Sequence, residues 1–178
     1  GGITGHVEIR EYQSALRDVN IIISGDCQTV SVAVEQEAAA LYNWRVLDGK
    51  KVCKSGTAEG DFVFDTAGLE SWSPENPKLY TLELWADGCS LVRTFGVRRL
   101  LVDGVQFQLN GIPYYLRGIC EHCYYPDTVH PPHDLSFYRK VIKKLKSFGF
   151  NFIRFHTYIP NEEYMQAADE LGMLLHVE

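Results

Sequence analysis

A chain of 178 residues, 46% hydrophobic and 22% charged, has room for one large folding unit or for a small one joined to part of another. Its formal charge of -6, without blocks of like charge, argues against a nucleic-acid surface, and no apolar run approaches the roughly 20 residues of a membrane helix. Five scattered cysteines suit a reduced, cytoplasmic protein better than a disulfide framework, and Gly1-Gly2-Ile3-Thr4 has neither the basic nor the apolar part of a signal peptide.

From residue 5 to 98 apolar and polar positions alternate with a period of two, which predicts half-buried strands. Val7 and Ile9 open the pattern. Val19, Ile21 and Ile23 follow, then Val30, Val32 and Val34, then Tyr42, Trp44 and Val46. Phe62 and Phe64 come next, and the longest run has Tyr80, Leu82 and Leu84, with Leu91 and Phe95 beyond it. Asp48-Gly49 and Asp87-Gly88 are tight-turn signals, because glycine accepts the positive φ that such turns require. Short strands at regular spacing without a helical pattern predict an antiparallel β-sandwich, an immunoglobulin-like module with no catalytic constellation of its own.

A connector with its own hairpin spans Arg98 to Gly111, and Asn110-Gly111 predicts a turn followed by a strand at Tyr114-Tyr115-Leu116-Arg117. The domain boundary falls near Arg99, dividing the chain into residues 1–98 and 99–178. A helix then starts at the N-cap Asp134 and ends before Gly149, with Leu135, Tyr138, Val141, Ile142, Leu145 and Phe148 on one stripe. The lysines at 140, 143, 144 and 146 lie mostly off that stripe and read as a solvated face. A second strand, Phe152 to Phe155, is apolar enough to be covered on both sides. Asn161 caps a second helix, Glu162 and Glu163 favour its positive end, Gly172 closes it, and Met173 to Val177 form a third strand.

Strand–helix units of roughly 30 residues predict parallel strands, whose carboxyl ends share one sheet edge. Three polar clusters should therefore meet there: Cys120-Glu121-His122-Cys123, then Arg154-Phe155-His156-Thr157, and Glu178. Arg154, on a strand expected to be buried, needs an acceptor. An ion pair to Glu178 on the neighbouring strand supplies one, and so does a carboxylate group at a sugar site. His156 and Thr157 point to the mouth, where a lone histidine is more often a hydrogen-bonding group than a general base. His176 is expected in the core or between layers. Cys120, His122, Cys123, His130 and His133 could ligate zinc, but their spacing matches no common zinc pattern, and a stiff pocket-shaping loop is the favoured reading. No metal and no cofactor is expected. Glu178 is a single carboxylate, whereas glycoside hydrolysis by the usual routes needs two, about 5–5.5 Å apart for retention.

At this point the residues resemble those of glycoside hydrolase family 2, the β-galactosidases and β-glucuronidases. Trp72-Ser73-Pro74-Glu75-Asn76-Pro77-Lys78-Leu79-Tyr80-Thr81-Leu82 and Phe95-Gly96-Val97-Arg98-Arg99 are similar to its sandwich signature. Phe107 to Pro113, Leu116 to Ile119, Phe148 to Arg154, and Ala168 to Met173 running on to Glu178 resemble the start of its catalytic barrel. The resemblance implies an immunoglobulin-like sandwich followed by the first β-α-β-α-β units of a (β/α)8 TIM barrel. The parent would be a retaining, exo-acting hydrolase of β-galactosides or β-glucuronides.

Carried over by position, His122, Arg154 and Glu178 would line the sugar subsite or support the catalytic pair; with His156 and Thr157, placed at the mouth by the strand ends, they are the expected substrate-binding residues. The resemblance puts both catalytic glutamates on later strands, so a chain of this extent would be an inactive fragment with no catalytic residues. Two departures stand out: Cys120 where the family commonly has Asn, and a longer segment after Arg154 with its histidine one place early. The expected partner is a carbohydrate, not nucleic acid or membrane. An unpaired sheet edge further predicts association into a homo-oligomer, or a poorly ordered second half. The competing reading is a non-catalytic, carbohydrate-binding or scaffolding sandwich using Trp44, Trp72 or Trp85.

Overall fold

Alternation of period two closes seven antiparallel strands into two sheets. A computed structural model describes residues 16–37, 39–86 and 88–178, together with residues 3, 5, 7 and 9. Val7 and Ile9, expected on a half-buried strand, are exposed and lie in no strand, while residues 6, 8 and 10 and Asp87 of the second turn lie outside this description. One sheet has the order β1-β2-β5, from Leu16–Ile23, Thr29–Gln36 and Phe62–Asp65. The other has the order β4-β3-β6-β7, from Lys51–Glu59, Leu41–Asp48, Tyr80–Ala86 and Cys89–Phe95.

Every second side chain turns inward, so Val30, Val32, Tyr42, Trp44, Val46, Phe64, Leu82 and Leu84 form one buried core. Trp44 stacks on Phe62 and Phe64 with centroids 4.7 and 5.4 Å apart. Gly56 sits opposite Trp44 across the β3–β4 ladder, where a Cβ would lie 2.9 Å from the indole, so only glycine leaves the ring its place.

A small antiparallel sheet follows, with order β10-β9-β8 from Ile112–Tyr114, Gln106–Leu109 and Leu100–Asp103. Here one expectation needs correction. The strand after Asn110-Gly111 runs over 112–114 and belongs to this hairpin sheet, not over 114–117, and the parallel strand begins only at Gly118. The reason is Asn151, which is 3% exposed. Its Oδ1 accepts the Arg117 N–H at 2.7 Å and its Nδ2 donates to the Tyr115 carbonyl at 3.0 Å, occupying the backbone groups that a continued strand would pair.

The remainder is β11 (Gly118–Glu121), α1 (Leu135–Ser147), β12 (Phe152–Phe155), α2 (Glu162–Leu171) and β13 (Leu174–Val177). The three strands are parallel, in the order β11-β12-β13. Asp134 caps α1 by accepting the Ser136 N–H at 2.7 Å. Asn161 occupies the N-cap position of α2, but its Nδ2 instead donates to the Pro132 carbonyl at 2.9 Å. Gly172 ends α2 in the left-handed region at φ 76°.

Tyr138 and Ile142 of α1, Tyr164, Ala167 and Ala168 of α2, and Ile153 and Phe155 of β12 make the second core. Tyr138 stacks on Tyr164 at 4.5 Å, and Phe155 meets Tyr164 edge-on at 5.0 Å. The helices cover only this face of the sheet. Phe148, expected on the apolar stripe of α1, lies past the helix end and is exposed. Among the described residues no helix is long and apolar enough to cross a membrane.

Candidate functional site

Register decides which side chains meet. Across the parallel sheet Cys120 pairs with Arg154 and Arg154 with His176, while Glu121, Phe155 and Val177 form the next row. Because side chains alternate, the buried Ile153 and Phe155 face the helices, and Cys120, Arg154 and His176 share the opposite face. Glu178, two residues beyond His176, projects on that same side.

The carboxyl ends of the three strands therefore converge. The Arg154 Nη2 donates to Glu178 Oε1 at 2.6 Å and its Nη1 reaches Cys120 Sγ at 3.7 Å. His156 Nδ1 lies 3.2 Å from Glu178 Oε2, so both carboxylate oxygens are engaged. His122 Nε2 is 3.9 Å from Cys120 Sγ, its ring meets His156 edge-on at 5.0 Å, and it stacks on Tyr124 at 5.9 Å. The His156 N–H donates to the Glu121 carbonyl at 2.9 Å, carrying the β11–β12 pairing one residue further. Thr157 follows at φ 49°, a left-handed conformation that turns the chain away as the strand ends. His122, Arg154, His156 and Glu178 are thus in one cluster, with Thr157 at its border. Cys120 and Tyr124 also belong to it. The parallel topology predicts Cys120 there as a member of the first polar cluster, while nothing in the spacing marks Tyr124.

The hydrogen bond from His156, with the Arg154 charge behind it, holds the Glu178 carboxyl below the usual value of 4.5. Glu178 is an ionised, doubly paired acceptor. Glu121 lies on the other face and its Oε1 accepts the Cys123 N–H at 2.8 Å. Burial pushes the Cys123 thiol up to about 11, which makes it a poor thiolate donor. His130 Nδ1 sits 2.9 Å from the Pro131 carbonyl, and His133 Nδ1 lies 3.4 Å from Glu163. Among the described residues no group of three or more His, Cys, Asp and Glu side chains is arranged to hold a metal ion.

Two expectations change. His176 is not in the core: it is exposed and stacks on Phe152 at 6.3 Å. Arg154, expected on a strand covered on both sides, has a side chain 38% exposed. Both follow from the single-sided helix cover. The expected pair to Glu178 forms all the same.

No family model matches the chain. Over 164 residues it is 28% identical to a β-galactosidase of Staphylococcus xylosus, covering 88% of this chain and 16% of that protein. It is 30% identical to a β-galactosidase of Arthrobacter sp. (strain B7) over 110 residues, or 62% of this chain and 11% of the other. Among solved structures, a β-glucuronidase of Faecalibacterium prausnitzii superposes with a TM-score of 0.82 at 28% identity, covering 92% of this chain and 27% of that one. The chain resembles a segment of a family 2 glycoside hydrolase. A β-D-glucuronidase of Dictyoglomus thermophilum agrees at a TM-score of 0.78 and 25% identity, over 92% of this chain and 29% of the other. The family 2-like chain thus spans about a sixth or less of these curated relatives' length and under a third of these structural ones.

Proposed function

We propose that this chain is part of a retaining, exo-acting glycoside hydrolase that cleaves O-glycosyl bonds of β-galactoside or β-glucuronide type. Residues 1–98 are then an immunoglobulin-like sandwich, and 99–178 hold the first β-α-β-α-β units of a (β/α)8 barrel. The observation that carries the reading is the rim itself. Three consecutive parallel strands deliver Cys120, Arg154 and Glu178 to one edge, with His122 and His156 beside them. In α/β folds that edge is where ligands bind. A guanidinium, two imidazoles and an engaged carboxylate offer donors and acceptors suited to sugar hydroxyls. In this reading His122, Arg154, His156, Thr157 and Glu178 contact a carbohydrate substrate, and the five free cysteines fit a reduced, cytoplasmic setting.

Among the described residues, the rim in this reading has no second carboxylate beside Glu178. Retention needs an acid and a nucleophile about 5–5.5 Å apart. Glu178 is taken up by Arg154 and His156, and Glu121 is turned to the opposite face. In this reading the 178-residue chain alone binds without turnover, with the catalytic pair supplied elsewhere in the parent protein. Purified chain incubated with an aryl β-galactoside and an aryl β-glucuronide should release no phenol above the protein-free rate. Release from either substrate overturns the reading of the rim.

The non-catalytic sandwich reading rests on exposed aromatics. Trp44 and Trp72 are 8% and 2% exposed, which leaves Trp85, at 38%, as its one tryptophan platform.

A further inference from the structure

Three parts of the molecule meet on the loop between β5 and β6. Trp72 donates its indole N–H to the Asp169 carbonyl of α2 at 2.8 Å and accepts from Asn110 Nδ2 at 3.0 Å. Glu75 accepts the Tyr114 hydroxyl at 2.8 Å. Pro74 is held by Lys146, a residue of the last turn of α1. The lysine ammonium has three donors, and three carbonyls surround it. They are Pro74 at 2.5 Å, Leu171 at 2.5 Å and Gly172 at 3.1 Å. Leu171 ends α2, so its carbonyl belongs to the negative end of that helix, which favours a cation. Among the described residues no carboxylate bonds the ammonium. Burial pushes the Lys146 amine below its usual range, and the Glu75 charge opposes that only in part. At Gly172 the fit is equally close: a Cβ there would stand 2.4 Å from the Pro74 carbonyl oxygen.

A lysine that served α1 alone would extend into water, as the exposed Lys140 and Lys143 do. Lys146 instead satisfies backbone acceptors on both sides of the junction. Without it, the Leu171 and Gly172 carbonyls and the Pro74 carbonyl would face one another with no donor between them. We propose that Lys146 is a latch that locks the sandwich onto the C-terminal end of α2, so that the sandwich and the parallel β-α-β-α-β unit open as one cooperative body. This inference is independent of any sugar chemistry at the rim.

Urea titration of the full 178-residue chain, followed by two-dimensional amide NMR, separates the two bodies. Native peaks of Leu82 and Leu84 report the sandwich, and those of Ile153 and Phe155 report the parallel unit. In the unaltered chain both sets should be lost at one midpoint. In Lys146→Met the Ile153 and Phe155 peaks should shift to lower urea than the Leu82 and Leu84 peaks. Gly172→Ala, which presses on Pro74 and keeps the lysine, should produce the same split, and stands in if Lys146→Met does not fold. Ile142→Val, inside the second core and away from the junction, should lower stability with the midpoints still coincident. Separate midpoints in the unaltered chain, coincident ones in both junction variants, or an equal split in Ile142→Val would each overturn the latch.

Discussion

In the sandwich, Trp44, Val46, Leu82 and Leu84 point into a space closed by a sheet on either side, and the polar half of each strand is left to solvent. In the parallel unit α1 and α2 close over the row of Ile153 and Phe155, while on the other face Leu174 is buried but Phe152 and Arg154 are half-exposed and His176 is exposed. One module has used its inward face entirely for packing. The other retains a face rich in charge and aromatic surface, and there the strand ends gather Cys120, His122, Arg154, His156 and Glu178. The contrast separates support from site: chemistry is available where the second face of a sheet is not spent on a core.

Truncating the covered faces should have the largest effects. Leu84→Ala in the sandwich and Ile153→Ala in the parallel unit each remove a side chain that is 0% exposed, and each should cost about 2–5 kcal/mol. Phe152→Ala, on the half-exposed face, removes a larger side chain and should nevertheless cost clearly less than Ile153→Ala. Urea unfolding of the three variants measures this. A Phe152→Ala loss equal to that of Ile153→Ala would mean both faces are packed and would remove the distinction between the modules.

An intermediate effect belongs to Asn151, the buried polar residue that joins β11, β12 and β13. Its side chain ties down Arg117 and Tyr115. Its backbone N–H donates to the Arg117 carbonyl at 3.0 Å, and its carbonyl accepts the Leu174 N–H at 3.0 Å. Asn151→Ala removes the partners of two backbone groups in part-buried hydrogen bonds and should cost about 1 kcal/mol. Faster exchange of the Arg117 amide should accompany the loss. An unchanged Arg117 amide would show that backbone pairing alone sets where β11 begins.

Much of this arrangement was legible in the sequence, and the failures have identifiable causes. Strands with one wet and one dry face announce themselves by alternation, which is how β1, β2, β3, β5, β6 and β7 were readable. β4, Lys51–Glu59, was not: its side chains are half-buried or exposed throughout, and its one required feature, Gly56, looks like a breaker until Trp44 is seen against it. Helix limits followed from Asp134, Gly149 and Gly172 because caps and left-handed glycines are local chemistry. The start of β11 was missed because the residue that fixes it, Asn151, lies 34 positions away from Arg117. The rim residues were readable from parallel topology alone. Their exposure was not, because covering of the second face depends on what else packs there, and the period of β12 carries no information about that.

The smallest effect in energy is the most specific for the rim. The Glu178 carboxyl titrates below 4.5 in the folded chain, chiefly through the His156 hydrogen bond and then through Arg154, and near its ordinary value when unfolded. The folded state therefore binds this proton less readily than the unfolded one. What the pairing adds to stability is fully present above pH 4.5 and is lost as the pH falls from there through the folded value. Both partners are well exposed, so the change is too small for an unfolding curve to resolve, and side-chain carboxyl ¹³C shifts are the proper measurement. His156→Ala should return the Glu178 midpoint furthest toward 4.5, with Arg154→Ala moving it in the same direction by less. A Glu178 midpoint indifferent to both substitutions would mean that the rim is a set of separately solvated side chains, and the contrast between a closed module and an open, pre-arranged one would fail at the place where it matters for binding.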